Sequence, residues 1–408
     1  LAVAAAAAIL LGTWIASTLV ARNRTLHVVN GFDKPLTAEV EGAGSVTVNG
    51  PGHATLGVPE GRRRVRVRGA AEVEHEIAIE SGFLGRFFDG RVFVLNPAGR
   101  ATLVRETTVY SERPDGQGGA FNLRYGEPFM VFSGIDYAFQ PFPAKLQVSD
   151  HSKRVDKTRI DLLRDPPLGV FQFLSLEGRK NDAMAFAEWC LDRPAPDPDL
   201  MTAYAMHALA SGRGPRALDL LRKGLGRRPV DIAWHRLYQT VAQHGAPPGP
   251  LVDEYDALLK KDPDSSALLY LRGRLCTSLR ASLDFHERAA RADPKNAYAQ
   301  NAIGYARISS GDWAGARERV EAALRLDPGS DTFQRLHDEI RLALGEHEAV
   351  AREVRERLRE SPLDLSQNQM LVLALAAGGK GGEAVTHGVD VQGRILKEMG
   401  KDIGGIAR

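Results

Sequence analysis

The chain has 408 residues, of which 43% are hydrophobic and 25% are charged, a balance that is typical of folded proteins and excludes a disordered chain. Its 53 basic and 51 acidic side chains leave a net charge of +2, so no overall field favours nucleic acid as a partner. Two cysteines cannot form a disulfide framework, and the length predicts two or three structural units.

The first segment, residues 1–21, is almost wholly apolar and uncharged. At about 1.5 Å per residue, a helix of this length matches the roughly 30 Å hydrocarbon core of a bilayer, so we predict a transmembrane helix and a single-pass membrane location. A cleaved signal peptide and a buried helix are the alternatives. Arg22 and Arg24 favour a cytoplasmic side for the domains after this segment. The chain opens on Leu1 instead of Met, so we expect preceding residues that could reverse this orientation, and the side stays open.

Short alternating runs separated by glycines occupy residues 25–148 and predict an all-β, sandwich-like domain. Arg64, Arg66 and Arg68 alternate with valines and share one face of a predicted strand. One interpretation is a basic patch for anionic lipid headgroups. The other is a solvated face that pairs with acidic residues such as Glu74 on a neighbouring strand.

Val58-Pro59-Glu60-Gly61, together with the alternating strand after it, resembles the signature of the bacterial PEGA module. The match covers a short stretch and departs at Arg62, where the motif has alanine. The resemblance implies a small surface or extracytoplasmic β-domain without catalysis of its own.

A stretch rich in aromatic residues ends this region. Such side chains can line a ligand groove, but more often they fill a core or join two domains. They are Phe121, Tyr125, Phe129, Phe132, Tyr137, Phe139 and Phe142.

From Asp165 the strand signals vanish and prolines recur at a fixed distance. Asp293-Pro294, Asp327-Pro328 and Ser361-Pro362 succeed one another at intervals of 34 residues. This period is typical of tetratricopeptide repeats, in which each pair of helices buries its inner face only by stacking on its neighbours. We predict an all-α, tetratricopeptide-like solenoid over residues 164–400, with about seven hairpins.

The best single unit is Ala297–Pro328. Ile303-Gly304 matches the large–small pair of the first helix, and Ala316 matches the small residue at the point where the two helices cross. The chain thus resembles bacterial membrane-anchored tetratricopeptide repeat proteins.

That resemblance implies that the first helix of each unit lines a groove for an extended peptide or a helix of a partner protein. Some of these arrays bind the terminal carboxylate of a partner through a set of Lys and Asn side chains. This sequence does not contain that set. Carried onto this sequence, the groove positions are His235, Gln239, Tyr270, Arg274, Tyr298, Asn301, Tyr305, Arg335 and Glu339.

No pattern predicts a catalytic, cofactor or metal site. His347-Glu348 begins like a zinc-protease helix, but the second histidine one turn later is missing. The glycine-rich segment around Lys380 lacks the Ser or Thr of a phosphate loop.

We therefore predict a membrane-anchored scaffold, not an enzyme, that binds a protein or peptide partner in the groove of its repeats. The alternative is an envelope-associated β-domain that binds polysaccharide or lipid, with the repeats as a spacer. A third hypothesis is an enzyme with an unrecognised pocket in the β-domain. The partner and the oligomeric state are left open.

Overall fold

The computed structural model describes residues 2–83, 85–88, 90–111, 121–144, 146, 154–193, 195–244 and 249–406. The chain divides into two compact units, Leu1–Tyr204 and Ala205–Arg408. The predicted end of the β-rich domain, residue 148, lies outside the described residues.

The first unit opens with a helix and continues with strands. Its elements are α1 Ala2–Arg22, β1 Arg24–Asn30, β2 Leu36–Val40, β3 Gly44–Val48, β4 Gly52–Val58, β5 Gly61–Gly69, β6 Val73–Ile79, α2 Gly85–Phe88, β7 Val92–Leu95, β8 Leu103–Ser111, β9 Phe121–Arg124, β10 Phe129–Phe132, β11 Tyr137–Ala138, β12 Arg154–Leu162, α3 Pro167–Leu176 and α4 Lys180–Leu191.

The described strands form three four-stranded sheets, with the orders β3-β2-β5-β6, β10-β7-β1-β4 and β11-β12-β8-β9. Val65 and Phe93 belong to a buried cluster that joins the first sheet to the second. Val94 and Ile160 belong to another cluster, which joins the second sheet to the third. The sheet that contains β1 and β7 is therefore the middle one of three layers.

The prediction of a single sandwich is corrected by this arrangement. Strand β7 reads Val-Phe-Val-Leu without alternation, and its last three residues are all buried because both faces of the middle sheet are covered. Strand β12 adds a further long strand, which pairs with β8 from Arg154↔Ser111 to Leu162↔Leu103. The sequence patterning showed the strands but not how many layers they build.

The predicted transmembrane helix is also corrected. Residues 2–22 are helical, but no helix in the described part of the chain is both long and apolar enough to cross a membrane. In the second half of α1, Ser17 is buried and its hydroxyl accepts a hydrogen bond of 2.8 Å from the Arg86 guanidinium. The prediction of a membrane span, and the single-pass membrane location that rested on it, are overturned by this finding.

The Pro59-Glu60-Gly61 motif forms the corner between β4 and β5. Gly61 has a φ of +119°, a conformation that favours glycine. The Glu60 carboxylate accepts hydrogen bonds of 2.7 and 3.0 Å from Arg86 and lies 3.8 Å from Arg24. These contacts thus stabilise the corner at which the chain passes from the second sheet, which contains β4, to the first sheet, which contains β5.

The arginines of β5 face acidic residues across the antiparallel pair β5–β6. Arg66 lies opposite Glu74 and donates a hydrogen bond of 2.8 Å to it, and Arg62 lies 3.8 Å from Glu76. The solvated, charge-balanced face is therefore the interpretation that the structure favours over a lipid-binding patch.

Aromatic side chains of the predicted stretch join the sheets to the first helical hairpin within the first unit. The ring of Tyr125 meets that of Phe186 at 5.4 Å, and Phe121 meets Phe173 at 5.5 Å. The Arg179 guanidinium donates to the backbone carbonyls of Leu123 and Tyr125. Four of these contacting groups come from β9 or the residue after it, so this stretch joins two kinds of structure.

In the part of the chain that the structure describes, helices alone come after α4. They are α5 Pro198–Ala210, α6 Gly214–Arg222, α7 Ile232–Gln243, α8 Gly249–Lys261, α9 Ser266–Gly273, α10 Leu279–Ala292, α11 Ala297–Ser309, α12 Trp313–Leu326, α13 Asp331–Ala343, α14 His347–Glu360, α15 Leu365–Ala377 and α16 Gly381–Ile406.

These helices form a tetratricopeptide-like solenoid, and its period is visible in their bounds. Helices α11, α13 and α15 begin 34 residues apart, as do α12, α14 and α16. Asn296, Ser330 and Asp364 cap the three first helices, and each side chain accepts a hydrogen bond from the backbone N–H three residues later. Each cap stands two residues after the proline that stops the preceding helix. The recurring prolines therefore mark the start of each repeat.

Two histidines of the middle sheet form a pair, and this pair predicts that the first unit loses stability in acid. His27 Nδ1 lies 3.3 Å from His53 Nε2, and the His53 ring stacks on Phe139 at 4.3 Å. Burial lowers the pKa of His27 to about 4, and the neighbouring charge of His53 adds to this. Burial also lowers the pKa of His53, although Asp161 opposes the shift.

We expect the first unit to lose stability as the pH falls from about 6.5 to about 4. In this pH window the two histidines bind protons in the unfolded chain but stay neutral in the folded one. Their full contribution to the stability of the first unit is therefore present only above the histidine pKa of the unfolded chain. Urea unfolding, followed by amide hydrogen exchange in β1 and β4, measures the loss. His27→Gln should flatten the pH profile and His347→Gln should not. An unchanged profile in His27→Gln would contradict the assignment.

Candidate partner-binding face

The structure separates the nine predicted groove residues by burial. His235, Gln239 and Tyr270 are buried, whereas Tyr305, Arg335 and Glu339 are exposed. Arg274, Tyr298 and Asn301 are half-buried. The residues accessible to a partner therefore come from α11, from α13 and from Arg274, which caps α9.

Two of the three buried residues hold helices of the array together, His235 within one repeat and Gln239 between neighbouring repeats. His235 Nδ1 makes a hydrogen bond of 2.9 Å with the Tyr255 hydroxyl. The Gln239 amide donates to the Leu271 carbonyl at 2.9 Å and accepts from Arg274 at 2.5 Å. These contacts join α7 to α8 and to α9.

The capping residues give the register of the groove positions. Counting from the caps Ser265, Asn296 and Ser330, the fifth and ninth positions are predicted groove residues of α9, α11 and α13, and the second position of α11 is Tyr298. In α7 the cap is Asp231, so the fifth position is Arg236, one residue after the predicted His235. One residue is a rotation of about 100° on a helix, which turns His235 inward and Arg236 outward.

We define the first-helix face as the side chains of Arg236, Arg274, Tyr298, Asn301 and Tyr305. Tyr298, Asn301 and Tyr305 share one stripe of α11, because residues three and seven positions apart lie on the same side of a helix. Tyr305 is 63% exposed. The half-buried and exposed side chains of α7, α9 and α11 thus meet on one face of the second unit.

A row of aromatic rings runs beneath this face across three repeats. The ring of Tyr298 lies 5.6 Å from Tyr270 and 5.6 Å from Phe333. The Arg236 guanidinium lies 5.0 Å from the centre of the Tyr298 ring, a cation–π contact. Rigid rings with a polar edge are the kind of surface that protein interfaces favour.

The face is electrostatically positive. Burial lowers the pKa of Arg274, and the nearby Arg236 charge acts in the same direction. Burial lowers the pKa of His286, behind Tyr270, to about 4, with Arg274 adding to the shift. Arg335, further along, pairs with Glu339 at 3.8 Å. The positive charge is thus concentrated between α7 and α9.

The glycine-rich segment around Lys380 and the buried cysteine Cys190 have ordinary surroundings. Gly379 has a φ of +77° in the turn between α15 and α16, and Lys380 pairs with Glu348 at 3.2 Å. Burial raises the pKa of the Cys190 thiol to about 12, so it holds its proton. Neither group has the features of an activated catalytic side chain.

A cavity in the first unit, about 500 Å³ in volume, is lined by Phe32, Asp33, Trp189 and Arg193 among others. Arg193 covers the Trp189 ring at 4.1 Å and Arg100 lies 5.5 Å from it. This ring is therefore engaged by the chain itself, which does not favour a sugar-stacking site.

No family model matches the chain. No curated protein matches it either. Solved structures that it is similar to are tetratricopeptide repeat proteins. A tetratricopeptide repeat protein from Parabacteroides merdae has 15% identity and a TM-score of 0.35, over 47% of this chain and 77% of that one. A thermophilic one from Thermus thermophilus has 18% identity and a TM-score of 0.30, over 52% and 97%.

The pilF protein of Pseudomonas aeruginosa has 16% identity and a TM-score of 0.35, over 48% of this chain and 90% of that one. At these TM-scores the assignment of the repeats rests on the helix bounds, the caps and the 34-residue period described above.

Proposed function

We propose that this chain is a scaffold that holds a protein or peptide partner on the first-helix face of its repeats. The observation that carries the proposal is the row of Tyr270, Tyr298 and Phe333, which supports half-buried and exposed polar side chains on three consecutive first helices. Rings that pack against one another restrict the motion of this face, so less conformational entropy is lost when a partner binds.

Peptides displayed on phage and selected on the 408-residue chain test the proposal. For the selected peptides, Tyr305→Ala is expected to raise the Kd by at least about tenfold, since exposed tyrosines on a rigid support are frequent hot spots. Fluorescence anisotropy with labelled peptides measures the change.

Leu326→Ala is the matched control, because Leu326 is exposed on a second helix of the same repeat as Tyr305. Its Kd should stay within about twofold of the unchanged chain. Peptides that bind the Tyr305 and Leu326 variants equally well would place binding elsewhere and contradict the proposal.

A further inference from the structure

Two half-buried arginines of the first-helix face lack an ion-pair partner in the part of the chain that the structure describes. Arg236 and Arg274 have no carboxylate within ion-pair distance among the described residues. Several other guanidinium groups of the second unit are paired: Arg272 with Asp256 at 2.6 Å, Arg317 with Glu346 at 2.6 Å, and Arg341 with Glu353 at 2.6 Å. Arg319 also has no carboxylate partner among the described residues and donates to Gln300 at 3.1 Å, but it lies on the second helix α12 and outside the first-helix face.

The contacts of these two arginines leave their charge uncompensated. Arg236 lies over the Tyr298 ring, and its Nε atom is buried with no hydrogen-bond partner among the described residues. Arg274 donates to the neutral amide of Gln239. A half-buried cation without a counterion is costly, and two such cations near one another repel.

Contacts bring both guanidinium groups to the same helices: Arg236 of α7 covers the Tyr298 ring of α11, and Arg274, which follows α9, donates back to Gln239 of α7. Burial raises the pKa of Tyr270, and the charges of Arg236 and Arg274 both oppose that rise. The Tyr270 ring lies 5.6 Å from the Tyr298 ring, which Arg236 covers. The two cations therefore belong to a single site between α7, α9 and α11, and do not act separately.

A third polar group at this site also lacks a partner. Asn301 stands one turn after Tyr298, and its Oδ1 atom is buried without a hydrogen bond to any residue that the structure describes. An amide can rotate to offer either its oxygen or its two N–H donors. The site thus combines two cations with an amide that is free to donate.

We propose that Arg236 and Arg274 bind a carboxylate of an acidic peptide, with Asn301 donating to the same group and the Tyr298 ring packing against the peptide. This inference rests on the proposed function and names the chemistry of its partner. A carboxylate accepts two parallel N–H bonds from a planar guanidinium, and it removes the repulsion between the two cations. An Asp or Glu side chain and a peptide's terminal carboxylate share this chemistry.

Synthetic peptides distinguish these sources. The probe is an acetylated, amidated peptide that alternates glutamate with leucine, compared with its glutamine counterpart and with a glutamine peptide that has a free carboxyl terminus. We expect the glutamate peptide to bind at least about tenfold more tightly than the amidated glutamine peptide, and more weakly as salt rises. Tight binding by the free-terminus peptide alone would assign the site to a terminal carboxylate. Equal affinity of all three peptides would overturn the proposal.

Arg236→Gln and Arg274→Gln are each expected to weaken binding of the acidic peptide by about 10- to 100-fold, the loss typical of a charge-assisted hydrogen bond. Arg291→Gln is the matched control, because Arg291 is exposed on the second helix of the repeat that contains Arg274. The affinity of this variant for the acidic peptide should stay within about twofold of that of the unchanged chain. Binding that survives in both first-helix variants would contradict the proposal.

Thermal unfolding of the unliganded variants separates binding from folding. Loss of one of two repelling cations is expected to leave the Tm of Arg236→Gln unchanged or higher, so a binding defect in a stable variant supports the site. If phage-selected peptides depend on Tyr305 but carry no acidic residue and tolerate both glutamine variants, the carboxylate site fails while the proposed function stands.

Discussion

Replacing Arg357 with alanine is expected to lower the free energy of unfolding around α13 and α14 by about 3 kcal/mol, because the substitution leaves a buried carboxylate unpaired. Asp338 is 1% exposed and accepts hydrogen bonds from Arg357 and, at 3.0 Å, from Gln334. Amide hydrogen exchange of these helices in the full chain measures the loss.

The free energy of unfolding that Arg357→Ala removes should increase as the pH rises. Burial raises the pKa of Asp338 even with Arg357 present, and loss of the guanidinium raises it further. A carboxyl whose folded pKa is raised contributes stability below its unfolded pKa and loses it as the pH rises through the folded value. The variant is therefore expected to lie closer to the unchanged chain at pH 4.5 than at pH 7.

Two further variants serve as controls. Arg359→Ala removes an exposed arginine that pairs with Glu356 on the same helix, and it should change stability by less than about 0.5 kcal/mol. Asp338→Leu combined with Arg357→Met should recover most of the loss, because apolar groups of similar volume often replace a buried pair without cost. A double variant as unstable as Arg357→Ala alone would contradict this explanation.

Gly304→Ala is the second substitution for which we expect a large effect, about 2 kcal/mol of lost stability. A β-carbon at Gly304 would lie 2.6 Å from Val320 Cγ2 and 3.1 Å from the Ala316 carbonyl oxygen. Both atoms belong to α12, so α11 and α12 would have to move apart and uncover the buried contact between them.

Gly393→Ala in α16 is the matched control, since a β-carbon there would meet no atom within 4 Å. It should stabilise its helix by about 0.5–1 kcal/mol, through the propensity difference alone. Hydrogen exchange in α11 and α12 measures the first effect, and exchange in α16 the second. Stabilisation of α11 by Gly304→Ala would show that the crossing has room and would contradict the prediction.

Local signals predicted the repeats well because each has a local physical cause. A proline cannot continue a helix beyond its first turn, and a polar cap two residues later begins the next helix, so Pro328 and Ser330 mark a boundary without knowledge of the tertiary fold. The small residues Gly304 and Ala316 likewise indicate where two helices approach.

The candidate site could be predicted only in part. The groove positions of α9, α11 and α13 come from counting along each helix, but in α7 the count was one residue early and selected the inward-facing His235 instead of Arg236. The cap Asp231 was the signal that could have corrected it. Tyr270 is at the expected position but is buried, because burial depends on the rings that the neighbouring repeat brings to it.

The sequence by itself determined the alternation of strands, the start of the helical array and its 34-residue period, since periodicity, caps and proline act over a few residues. Only the tertiary structure decided the number of sheet layers and the packing of Ser17 in α1 against Arg86. It also decided which arginines remain without a carboxylate. Arg272 and Arg274 are two residues apart, yet one meets Asp256 and the other meets Gln239. That difference is set by which helix lies opposite each side chain.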